Sequence, residues 1–217
     1  MGLLPLLQSD PLAFVLVVLV LLISLALHEW GHAITALWMG DSTAKDQGRV
    51  TLNPIKHLDL IGSIMILLVG FGWAKPVPIY PPNFRQYRLG LFVVSIAGIC
   101  INLCIATLLA GLLRWMLVSG LLENPSHGVL IVAQAMAVAA SINLTLAVFN
   151  LLPIPPLDGS KILQSFLPLR WHPYIWRLEA NPTYAIVAML LLLTVFRQPL
   201  GSFLGLVRTW FFDAFGL

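Results

Sequence analysis

The sequence predicts an all-α polytopic membrane protein with about four spanning helices, a re-entrant segment and a small β-like insertion after the first span. Hydrophobic residues make up 59% of the 217 residues and charged residues only 10%, whereas an ordinary soluble domain is about 25% charged. The apolar residues also form runs of about 20, the length with which a helix crosses a bilayer. We therefore expect a single membrane-embedded domain over residues 1–217.

The first predicted span covers residues 11–39 and is interrupted only by a cluster of histidine and glutamate. No Lys or Arg precedes it, and the apolar run continues past the position where a signal peptide would be cleaved. We interpret it as a helix of the mature protein. The polar stretch that follows, residues 40–60, is predicted to form a short hairpin or a strand at the membrane edge.

Residues 61–74 are apolar but short, contain three glycines and run into a Lys-Pro-Val-Pro sequence. Irregular backbone at membrane depth is tolerated only where protein or a watery cavity satisfies its polar groups. This pattern predicts a re-entrant segment. Residues 89–113 and 128–152 carry no charge and are the next two spans.

The fourth predicted span, residues 183–196, is short and would cross if tilted or extended by its flanks. Residues 201–215 mix aromatic side chains with Arg208 and Asp213, which favours a helix lying in the membrane interface.

The basic residues indicate an orientation. With the N-terminus outside, nine of the 12 lie on one side and three (Arg114, Arg197 and Arg208) on the other. The nine are Lys45, Arg49, Lys56, Lys75, Arg85, Arg88, Lys161, Arg170 and Arg177. The positive-inside rule makes that side cytoplasmic. The basic residues form no run of the kind that binds nucleic acid.

The pentad His28-Glu29-Trp30-Gly31-His32 carries the chemistry of the chain. Positions four apart share one face of a helix, so the two histidines can offer imidazoles to one metal ion. Glu29 then lies beside the metal and can act as general base. The alternative is a structural role for all three side chains. Ionisable residues inside a membrane helix are costly unless they pair or bind something, which favours a metal site.

A catalytic zinc takes three protein ligands, so a third is needed from elsewhere. Asp158 directly follows the span at 128–152, after a proline-rich turn that cannot continue the helix. Asp158 is the candidate ligand; the alternative is an N-cap for a following helix. Asn150 and Asn102 are candidates for contact with substrate or an oxyanion, against the alternative of amides that join helices.

These residues resemble the site-2 protease family of intramembrane zinc metalloproteases over about residues 11 to 167. The resemblance depends on the pentad and on the segment from Asn150 to Gly159, supported by residues 53–63 and 72–77. It implies one Zn²⁺ per chain bound by His28, His32 and Asp158, with Glu29 as general base. It also implies transmembrane protein substrates that unwind before cleavage, and Asn150 in contact with them.

The chain departs from the family at Ala97-Gly98-Ile99, where many members have proline before a conserved asparagine. We expect a minimal core without appended domains, in the plasma membrane of a prokaryote, with the active site near the cytoplasmic face. Two rival functions are a metal transporter and a catalytically silent relative that binds membrane partners. The sequence leaves the substrate and the oligomeric state open.

Overall fold

The computed structural model describes residues 3–69 and 72–217, and this part of the chain folds into α-helices joined by turns and by irregular segments. The helices are α1 (Leu4–Ser9), α2 (Pro11–Trp38), α3 (Thr43–Asp46), α4 (Leu60–Val69), α5 (Tyr87–Val118), α6 (His127–Asn150), α7 (Asp158–Phe166), α8 (His172–Ala180), α9 (Pro182–Thr194) and α10 (Arg197–Ala214). Three 3-10 turns lie at Pro54–His57, Pro81–Asn83 and Leu169–Trp171. The all-α fold class is confirmed.

Three helices, α2, α5 and α6, are long and apolar enough to cross a membrane. A fourth crossing is available if α9 and α10, which meet at a bend of 70°, act as one span. The outer surface of these helices is apolar; on α2, for example, Leu12 and Leu19 are about half exposed. Such a surface is stable in lipid and costly in water, so the chain is an integral membrane protein.

Helix α5 is the centre of the bundle and packs against both α2 and α6. Small residues on α5 let the helices approach closely: Ala106 and Ala110 are fully buried against Leu144 of α6 and Phe211 of α10. Helix α10 is therefore packed on the spanning helices over this part of its length. Its position in the membrane interface stays a prediction.

The small β-like insertion is not confirmed. In the described residues no strand forms between α2 and α4; the segment contains α3, a 3-10 turn and a single isolated bridge between Leu58 and Ala74. The reason lies in the local sequence. The Asn53 side chain accepts a hydrogen bond from the Ile55 N–H at 3.1 Å, and Pro54 has no N–H to give to a strand partner. The chain therefore turns where a strand was expected.

The predicted re-entrant segment falls partly on residues 70 and 71, which lie outside the described residues. Before them, α4 begins with the Asp59 carboxylate accepting from the Gly62 N–H at 2.8 Å. After them, the backbone of Trp73 lies so close to Gly62 that a Cβ there would collide with it. The chain thus returns beside the start of α4, as a re-entrant segment requires. Its depth in a membrane stays a prediction.

Candidate active site

Three side chains from two distant parts of the chain meet at one buried point. The Nε2 atoms of His28 and His32 are 3.0 Å apart, and the Asp158 Oδ2 atom is 3.1 Å from the first and 3.2 Å from the second. All three residues are at most 9% exposed. The structure therefore brings together the three ligands that the sequence predicted.

The arrangement fits a zinc ion. Zinc bonds of about 2.0–2.2 Å at tetrahedral angles separate their donor atoms by roughly 3.3–3.5 Å, and the three donors need to spread by only a few tenths of an ångström. Two imidazoles and a carboxylate are a donor set that zinc accepts, and they leave a fourth position open. His28, His32 and Asp158 are the one such group of three found among the described residues.

Helix α5 fixes the orientation of the histidines on α2. The Nδ1–H of His32 donates to the Val94 carbonyl at 2.7 Å, which leaves its Nε2 lone pair for a metal. The ring of His28 lies flat against Gly98: a Cβ built there would be 2.6 Å from both Cε1 and Nε2. Neither Val94 nor Gly98 is a site residue that the sequence identified.

Gly98→Ala should weaken zinc binding by on the order of tenfold or more, because the methyl group must displace the His28 imidazole. Zinc competition with a chromogenic chelator, on protein purified in detergent, measures the change. Gly111→Ala is the matched control on the same helix, since the nearest atom to its added Cβ is 3.9 Å away. Equal zinc affinity in both variants would contradict this role of Gly98.

Asp158 is the first residue of α7. Leu157 therefore occupies the N-cap position, and no side-chain hydrogen bond caps the helix there. The carboxylate points to the two histidines, so the N-cap alternative is not what the structure contains. The turn depends on Gly159, where any Cβ would overlap the Leu151 and Leu152 carbonyls. Burial alone raises the pKa of Asp158, but His32 and His28 hold it well below its usual range.

Glu29 lies next to this group and is held by the extended segment 72–80. Its Oε2 atom accepts a hydrogen bond from the Val77 N–H at 2.9 Å. The segment is anchored in turn by two buried side chains. Arg49 donates to the Lys75 carbonyl at 2.7 Å, and the Asp41 carboxylate accepts from the Tyr80 N–H at 2.7 Å. These anchors set where Val77 meets Glu29.

Asp41 accepts further hydrogen bonds from Thr43 and Asn83. Burial would raise the pKa of Asp41, but these hydrogen bonds lower it below its usual value. The anchor is therefore charged at neutral pH. The sequence did not indicate that Asp41 and Arg49 are buried, because isolated charges after a span usually face solvent.

The candidate site opens into a cleft of about 630 Å³. Its lining includes all four predicted catalytic and ligand residues, together with Asn150, which also donates to the Leu146 carbonyl at 3.0 Å. Lys161 and Arg208 also line the cleft, and the sequence identified neither as a site residue. Asn102 is fully buried in α5 and is not among the lining residues. The structure thus brings Asn150 to the cleft but not Asn102.

The chain is similar to proteins that are named as zinc metalloproteases. The family model described as peptidase family M50 matches residues 16–193. A Bacillus subtilis protein named "Putative zinc metalloprotease YwhC" is 42% identical over 188 residues, covering 86% of this chain and 82% of its own length. A Mycobacterium tuberculosis protein named "Putative zinc metalloprotease Rip2" is 34% identical over 208 residues, covering 94% of this chain and 75% of its own length. No solved structure matches the chain.

Proposed function

The chain belongs to peptidase family M50, the site-2 protease family, and we propose that it cleaves other membrane proteins within or near their transmembrane helices. Its family and relatives make it a zinc metalloendopeptidase. One observation carries the proposal about substrates: spanning helices form the walls of the cleft, with Leu25 of α2 and Ile142 and Leu146 of α6 among the lining residues. Such walls suit an apolar segment.

In this proposal His28, His32 and Asp158 would hold the zinc ion, one per chain. When bound, zinc supplies Lewis acidity, which makes a carbonyl carbon more electrophilic and a water molecule more acidic. The three donors are already within 3.2 Å of one another, so little reorganisation is needed. The hydrogen bond from His32 to Val94 keeps one ligand in the correct tautomer.

Glu29 is the general base of the proposed reaction. It takes a proton from the attacking water while the water oxygen bonds to the carbonyl carbon. It then gives the proton to the amide nitrogen as the carbon–nitrogen bond breaks, so that the products are a carboxylic acid and an amine. The Val77 N–H orients the Glu29 carboxylate for both transfers. Asn150, on the cleft wall, is proposed to donate to the substrate backbone or to the developing oxyanion.

A helical substrate shields its peptide bonds, so we propose that it unwinds in the cleft before cleavage, in regulated proteolysis that frees a domain from the membrane. We also propose an N-terminus outside and a site near the cytoplasmic face of a prokaryotic plasma membrane. The nine-to-three split of basic residues supports this orientation, and the bacterial relatives support the membrane.

The substrate proposal predicts that helix stability limits cleavage. Two Ala→Gly changes in the middle of a reporter transmembrane segment weaken its helix by about 2 kcal/mol, so cleavage in liposomes should accelerate by up to about 30-fold. The same two changes in the soluble flank of the reporter are the control and should leave the rate unchanged. Cleavage of the flank instead of the span would contradict the proposal.

A further inference from the structure

One helical turn from His28, the three spanning helices bring polar side chains into their common interior. These are Ser24 of α2, Asn102 of α5 and Asn143 of α6, and none is more than 3% exposed. The Asn143 Nδ2 donates to the Ser24 Oγ at 2.9 Å. Burial of amides in the interior of a membrane protein is costly unless their donors and acceptors are all satisfied.

The packing of α2 on α5 places Asn102 one helical turn beyond Gly98, the residue that contacts the His28 ring. The two helices are antiparallel, and their contacts advance by four residues at a time. Val94 meets His32, and Gly98 meets His28. One more turn brings Asn102 opposite Ser24. Asn102 therefore follows Gly98 on the face of α5 against which the His28 ring lies.

His28, Ser24, Asn102 and Asn143 form a polar layer in which several buried atoms have no hydrogen-bond partner in the described part of the chain. Among the described residues, buried polar atoms without a hydrogen-bond partner include four here: His28 Nδ1, Asn102 Oδ1, Asn102 Nδ2 and Asn143 Oδ1. When His28 binds a metal through Nε2, its Nδ1 carries the proton. The four atoms are then two donors and two acceptors. Only one pairing satisfies all four: His28 to Asn102, and Asn102 to Asn143.

We propose that Asn102 is a positioning residue for His28, an inference that rests on the zinc site of the proposed function. With zinc bound, the His28 Nδ1–H would donate to the Asn102 Oδ1 and the Asn102 Nδ2 would donate to the Asn143 Oδ1, two hydrogen bonds that the described residues do not form in this structure. The third bond of the chain, from the Asn143 Nδ2 to the Ser24 Oγ, is already present. His28 thereby gains what Val94 already gives His32, an acceptor that fixes the tautomer and the ring for zinc.

Zinc affinity tests this role without depending on catalysis. Wild type, Asn102→Leu, Asn102→Asp and Asn143→Leu are purified in detergent and titrated against a zinc chelator. Asn102→Leu removes the acceptor at nearly constant volume and should bind zinc 10- to 100-fold more weakly. Asn102→Asp loses the donor to Asn143 but keeps an acceptor oxygen for His28, so it should bind zinc at least as tightly as wild type. Asn143→Leu disturbs the same layer without removing the acceptor of His28, so its affinity should stay near that of wild type.

The proposal is overturned if Asn102→Leu binds zinc like wild type, or if Asn143→Leu loses as much affinity as Asn102→Leu. Failure of wild type itself to bind zinc would instead overturn the proposed function. If the leucine variants do not fold, the wild-type protein provides the test. In zinc-loaded protein labelled with ¹⁵N-histidine, His28, identified by its loss in His28→Gln, should carry an exchange-protected Nδ1 proton. A rapidly exchanging proton, or an unprotonated Nδ1, overturns the proposal.

Discussion

Glu29→Gln should lower the cleavage rate by about 10²- to 10⁴-fold while the protein still binds one zinc ion. Glutamine keeps the length of the side chain and an oxygen that can accept from the Val77 N–H, so the 72–80 segment stays in place. It cannot take a proton from water at neutral pH, which removes the general base. Initial rates on a transmembrane reporter, together with the zinc content of each preparation, measure the two effects separately.

The matched control for this prediction is Glu123→Gln, the same chemical change at an exposed residue after α5. It should cleave at the wild-type rate. Equal rates for wild type and Glu29→Gln would show that another group takes the proton, or that a contaminant cleaves the reporter. Loss of zinc from Glu29→Gln would instead show that Glu29 supports the metal site.

Asp158→Asn should weaken zinc binding by at least about 100-fold. Mutating a residue that only hydrogen-bonds to a zinc ligand costs up to about 100-fold in affinity, and loss of a ligand should cost no less. The substitution nearly preserves the shape of the side chain at the start of α7, but it removes the anionic ligand from a buried site. Activity should be lost with the metal and should return in part at high zinc concentration. Metal analysis of the purified protein, followed by reporter cleavage across a zinc titration, checks both statements.

The matched control is Asp213→Asn, the same chemical change at an exposed residue of α10 that is far from the predicted ligands in the sequence. This variant should bind zinc as wild type does. Full zinc occupancy in Asp158→Asn would contradict its assignment as the third ligand. The metal would then need a different third group, although no other histidine, cysteine or carboxylate joins this cluster in the described part of the chain.

The meeting of His28, His32 and Asp158 could be predicted from sequence because its constraints are local and chemical. The spacing of His28 and His32 follows from the helical period, and a catalytic zinc needs a third ligand, which pointed to the carboxylate after the 128–152 span. The three longest spans were predictable for a similar reason, since lipid requires long apolar runs. The structure has them at Pro11–Trp38, Tyr87–Val118 and His127–Asn150.

The remaining features depend on contacts between distant segments, which local patterns do not record. A short hairpin or strand was expected in residues 40–60, but the chain turns at Asn53, and buried Arg49 and Asp41 bind the backbone of residues 75–80. Asn102 was a candidate for contact with substrate, yet packing of the spanning helices buries it fully and it does not line the cleft. Helix α8 was not predicted, because its nine residues are neither long nor apolar enough to resemble a span.

The proposed function requires that this zinc site hydrolyse peptide bonds inside the membrane. The most direct measurement is the mass of the products that purified wild-type protein releases from the transmembrane reporter in liposomes. Samples are compared before zinc is chelated, after chelation and after zinc is restored. The expected products end within the apolar span, disappear with the zinc and return when it is added back. Products that persist without zinc, or that end only in the soluble flanks, would contradict it.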